Sequence, residues 1–162
     1  IKLPKGQADD DYGPRLCWLE GAVRDLITGN AIEWIVVERV YVPPMSKIAM
    51  STVELLHSYR GAIVMAAHKS GLHHKHILWA TSGEWRKAFG TSTVPPQVRA
   101  SKTNGARRAY LKTAAFEKCR ELGWDPKNED EADALGLWAY GETLLQQFSG
   151  NARLPLFASA TL

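Results

Sequence analysis

Only two cysteines, Cys17 and Cys119, occur in 162 residues. A disulfide-dense scaffold is thereby excluded. Both lie in helical-looking stretches with apolar neighbours such as Trp18 and Phe116, so buried reduced thiols in a cytoplasmic setting are expected. No apolar run approaches the ~20 residues that a membrane span requires. No secretory signal is read at the start of the chain, and no internal repeat or low-complexity tract appears. Acid is scarce over one long stretch. From Arg99 to Arg120, Glu117 is the sole carboxylate among Arg99, Lys102, Arg107, Arg108, Lys112, Lys118 and Arg120.

What is present is ordinary globular material. The chain is 45% hydrophobic and 23% charged, enough to bury one sizeable core. One domain is expected over residues 1–149, followed by a tail over 150–162. The formal net charge is +3 and the sequence pI about 8.9, a mild bias toward anionic partners. Its distribution says more. The basic stretch is followed at once by Glu121, Asp125, Glu129, Asp130, Glu131 and Asp133. Such a pairing suits a metal-dependent enzyme acting on a polyanion. It equally suits a solvated helix followed by an acidic helix start.

Hydrophobic periodicity orders the elements. Ile1–Leu3 reads as the end of a strand. Leu16, Leu19, Val23, Leu26 and Ile27 mark a helix after Pro14, stopped at Gly29–Asn30. Trp34–Val37 is the centre of a buried strand within 31–42. Ser51 and Glu54 form a capping box opening a helix to Ala67. His76–Ala80 reads as strand, and Ser82 caps a short helix through Phe89. A loop over 90–104 leads to helices over 106–122 and 130–148. Strands alternating with helices predict an α/β fold with a mostly parallel sheet.

Three carboxylates stand out. Glu38 closes the run Ile35-Val36-Val37, at the strand end where open α/β sheets bind ligands; pairing with Arg39 is the plainer reading. Asp130 and Asp133 share one face of a helix start. Helix capping explains Asp130, whereas Asp133 borders the apolar run Ala134–Trp138. A strand-end Glu and a helix-start Asp pair can supply the hard oxygen ligands of two Mg²⁺ or Mn²⁺ ions about 4 Å apart.

These segments carry a resemblance. Ile35-Val36-Val37-Glu38-Arg39-Val40-Tyr41, then Tyr59–Ala67, then Asp130-Glu131-Ala132-Asp133-Ala134-Leu135-Gly136-Leu137 resemble, in order and spacing, the RuvC-type Holliday junction resolvases of the RNase H-like superfamily. The resemblance implies an RNase H-like fold, a mixed central sheet flanked by helices. It implies Glu38, Asp130 and Asp133 as metal-binding catalytic acids with two Mg²⁺ or Mn²⁺ ions, and Lys112 at the scissile phosphate. It implies an endonuclease cutting four-way DNA junctions as a homodimer, with residues 51–67 as the dimer face and Arg99, Lys102, Arg107, Arg108 and Lys112 as phosphate contacts. The family's first-strand G-x-D acid has no counterpart. Ile1–Leu3 matches the third strand, so the N-terminal hairpin is expected to be missing, and Asp9–Asp11 does not replace its acid. That departure supports an alternative, a non-catalytic junction-binding protein. A nuclease of the same fold acting on RNA is a further one.

Other features have two readings each. His68, His73, His74 and His76 read as a zinc site or as a solvated loop. Trp18, Trp34, Trp79, Trp124 and Trp138 read as core, and Trp85 reads as core or as a platform for a base. Leu154-Pro155-Leu156-Phe157 reads as a sliding-clamp docking peptide or as a tail packed on the domain. The tail and the 90–104 loop point to a phage or prophage protein.

Overall fold

Helices dominate because most apolar residues recur at three- and four-residue spacing. The computed structural model describes residues 12–39, 50–101 and 105–148. In chain order these give α1 (Gly13–Gly29), β1 (Ile35–Glu38), α2 (Met50–Lys69), a 3₁₀ turn (His74–His76), β2 (Ile77–Ala80), α3 (Ser82–Ala88), α4 (Pro96–Arg99), α5 (Ala106–Glu121) and α6 (Glu129–Phe148). Strand β1 pairs with β2, and this two-stranded sheet is the whole of the sheet structure among the described residues. The expected RNase H-like mixed sheet is therefore not what the described residues form. Its first expected strand, Ile1–Leu3, lies outside the described residues. Among the described residues no helix is long and apolar enough to cross a membrane.

The chain divides into two compact units, Ile1–Trp79 and Ala80–Leu162. In the first, α1 packs along α2. Its core holds Ile27, Val37, Ala67, Leu72 and Ile77. Strand β1 buries Val37, and β2 buries Ile77 and Ala80. Trp34 stacks on His76 with ring centroids 4.6 Å apart, and His76 Nδ1 lies 2.8 Å from the Glu33 carbonyl oxygen. Ala31 takes the left-handed conformation, φ 49°, while the Ile32 amide donates to Ile27 O at 3.1 Å and closes α1. Ser51 lies inside α2 rather than capping it.

In the second unit α5 runs along α6, with α3 against α6 and α4 against α5. Thr81, not Ser82, caps α3: its hydroxyl accepts from the Glu84 amide at 3.2 Å. The Glu84 carboxylate accepts the Thr81 amide at 2.7 Å, completing a capping box. The core is Trp85, Phe89, Ala115, Cys119, Ala132 and Ala139. Phe89 stacks on Trp124 at 6.0 Å, and Trp124 meets Trp138 edge-on at 5.8 Å. Trp18 and Trp138, expected in the core, are instead exposed. Just beyond the α5 C-cap Leu122, Gly123 has a φ of +78° that lets the Trp124 amide return to Cys119 O at 2.9 Å. That turn aims the Trp124 indole at Phe89.

Candidate nucleic-acid interface

The start of α6 is capped from outside the helix. Asn128 Oδ1 accepts the Glu131 amide at 2.9 Å, and Glu131 Oε2 accepts the Lys127 amide at 2.7 Å. Asp130 is thereby relieved of the capping role. Its carboxylate turns to α5 and accepts from Lys112 Nζ at 2.8 Å, with Glu129 3.4 Å from the same ammonium. A recess of about 520 Å³ opens beside this pair, lined by Lys112, Thr113, Phe116, Lys127, Asn128, Glu129 and Asp130.

The pair shifts both titrations. The hydrogen bond from Lys112 holds the Asp130 carboxyl below its ordinary value, and the charges of Lys112 and then Arg108 add to it. The hydrogen bond to Asp130 raises the Lys112 ammonium against the opposing effect of burial. The Asp130 side chain is 87% exposed, so water screens the pair and it contributes under about 1 kcal/mol. Its pH dependence has a definite sign. The Asp130 share is present above the unfolded carboxyl value, ~3.9, and fades as pH falls through the depressed folded value. The Lys112 share is present below ~10.4 and fades as pH rises through the raised folded value. Urea denaturation should therefore show Asp130→Asn slightly less stable than wild type between about pH 5 and 10, with the gap closing below about pH 4. A gap of equal size at the acid end would show that the ion pair is not its source.

Asp133 is held more firmly. Arg86 of α3 sends Nη2 to Asp133 Oδ1 at 2.7 Å and Nη1 to the Leu111 carbonyl at 2.8 Å. The guanidinium also covers the Trp85 ring, 4.2 Å from its centroid. Arg86 is 9% exposed. It binds three elements of the second unit: its own α3, α5 through Leu111 and α6 through Asp133. Behind it, burial pushes the Cys119 thiol up, and the charge of Asp133 pushes it further. Burial, with Glu84 adding to it, likewise raises the Tyr140 phenol.

These contacts correct the expected metal centre. Among the described residues no group of three or more His, Cys, Asp or Glu is placed to hold a metal ion. Glu38 is exposed at the end of β1, in the first unit. Asp130 and Asp133 stand on the first turns of α6, in the second, each engaged by a base. Lys112 is a carboxylate's partner here. With no such cluster, a two-ion Mg²⁺ or Mn²⁺ site does not form among the described residues, and the endonuclease reading built on it falls. The same observation removes the histidine zinc reading. Trp85 is 1% exposed and packs against Gly136, so it offers no face to a base.

The remaining expected DNA contacts fare differently. Arg99 ends α4, and Arg107 and Arg108 occupy the first turn of α5; all three are exposed. Lys102 and the tail with its clamp-like Leu154–Phe157 lie outside the described residues. The Gly105 N-cap offers no side chain to α5, and no acid stands in the first turn. Two cations therefore sit at the positive end of a helix dipole, an arrangement that an anion relieves and that the Asp130 charge relieves in part at Arg108.

Neither a protein-family model nor a curated protein sequence matches this chain. With a two-stranded sheet and no metal-holding cluster among the described residues, the likeness to the junction resolvases is not sustained.

Proposed function

We propose that the second unit is a nucleic-acid-binding module that grips the phosphodiester backbone without cutting it. The observation that carries this reading is the cationic first turn of α5. Arg107 and Arg108 crowd a helix end that has no acidic residue in its first turn, and Arg99 extends the patch from the adjoining α4. Guanidinium groups suit this task because their planar fork matches two phosphate oxygens. Backbone contacts of this kind confer affinity and salt dependence, not sequence preference. The acids at the start of α6 do not compete for the ligand as free charges, since Lys112 and Arg86 hold two of them.

The test is fluorescence anisotropy with labelled four-way junction, linear duplex and single-stranded DNA, and with the corresponding RNAs. Binding is expected in the presence of a chelator as well as with Mg²⁺. The double variant Arg107→Ala/Arg108→Ala should weaken binding about tenfold at 0.1 M salt and flatten the slope of log K against log salt by about two. If no nucleic acid binds at about 100 µM protein and low salt, the weak end of non-specific affinity, the reading is wrong.

A further inference from the structure

The first unit carries a feature that backbone binding does not use. A groove of about 900 Å³ runs along one face of α2 and over β2. Val64, Met65, Ile77 and Trp79 make its apolar floor. His57, Arg60, His68, Lys69 and His74 make its rim, and among the described residues no acidic side chain lines it. From His57 to Lys69 the helix advances about 18 Å at ~1.5 Å per residue.

The charges point to the occupant. Lys69 lies 3.4 Å from the largely buried Glu20 carboxylate. Arg60 lies over the Trp79 ring, 4.3 Å from its centroid. A second copy docking the same face by two-fold symmetry would set Arg60 and Lys69 of one copy against those of the other. Stacked nucleobases need open aromatic faces, and the one aromatic ring in the floor, Trp79, is already covered by Arg60. An aliphatic floor with an exposed Met, 49% accessible, instead suits the apolar face of a helix. We propose that this groove docks an acidic amphipathic helix of a partner protein. Apolar residues at three- and four-residue spacing fill the floor, and flanking Asp or Glu meet the rim.

Selection from a displayed library tests this on the full chain. The library consists of 14-residue peptides with leucine fixed at helical spacing and all other positions random. Enrichment of Asp and Glu at the random positions is expected. The best peptide, fluorescein-labelled, should bind saturably and lose at least tenfold in affinity when its acids become lysine. Met65→Glu and His57→Glu should each weaken it at least fivefold. Both positions are exposed, and circular dichroism of each variant should match wild type. Failure to enrich acids, or equal binding of the lysine peptide, overturns the proposal. So does competition by a single-stranded oligonucleotide. A dimer in analytical ultracentrifugation that Met65→Glu dissociates, with no peptide bound, assigns the face to a second copy and overturns it too.

Discussion

Arg86→Ala is expected to destabilise the second unit by about 2–4 kcal/mol, because it removes the close guanidinium contact of a half-buried carboxylate and the donor to a backbone carbonyl at once. The Asp133 side chain is 26% exposed, so water recovers part of the loss and the lower half of that range is the better guide. The Trp85 ring also loses the guanidinium that covers one face, a smaller contribution of about 0.5–1 kcal/mol. Urea denaturation followed by tryptophan fluorescence measures the total. Asp133→Ala alone should cost less, since Arg86 keeps its bond to the Leu111 carbonyl. The double variant should then fall short of the sum of the two by about 1–2 kcal/mol, the signature of a direct pair. A loss below about 0.5 kcal/mol in Arg86→Ala, the size of an ordinary surface substitution, would remove Arg86 from its central place.

Gly136→Ala is expected to cost about 1–3 kcal/mol, although alanine is the better helix former by ~1 kcal/mol. A β-carbon at Gly136 would lie 2.7 Å from Trp85 Cζ3, with Phe89 Cδ1 at 3.2 Å. Neither ring has room to retreat: Trp85 is 1% and Phe89 2% exposed. The steric cost therefore outweighs the propensity gain. By contrast, Gly61 in α2 meets nothing within 4 Å, so Gly61→Ala should be neutral or stabilising in the same assay. If Gly136→Ala stabilised the protein as much as Gly61→Ala, the close packing of α6 on α3 would be refuted.

The helices were legible because periodicity needs only local information. Leu16 to Ile27 forecast α1, and the apolar spacing through α2, α5 and α6 placed each within a residue or two of its observed ends. The caps were also written locally, in Asn128-x-x-Glu131 and Thr81-x-x-Glu84. Choosing Asp130 and Ser82 for those roles overlooked a spacing that was in plain view. The partnership of Arg86 with Asp133 had no such signal. The two residues are 47 apart in sequence, and Arg86 sits in a short polar-looking helix where a solvated base is the ordinary expectation. Carboxylates at a strand end and a helix start look alike in sequence whether they await a metal or an arginine. Which of the two they meet is decided by packing between helices, and periodicity does not encode that. The sheet misled for a related reason. Ile35–Glu38 and Ile77–Ala80 do form strands, yet the alternation of strands with helices, enlarged by a resemblance in short segments, predicts more sheet than the two strands of the described residues.

The two thiols of this chain occupy opposite chemical situations. Cys17 is exposed on α1, while Cys119 is sealed in the seam of α5 and α6, its Sγ 3.7 Å from the Ala132 carbonyl oxygen. Oxidants and electrophiles therefore meet Cys17 first, and a burial-raised thiol is a poor nucleophile even when reached. Oxidative coupling would join two molecules through Cys17 and leave the buried Cys119 thiol reduced.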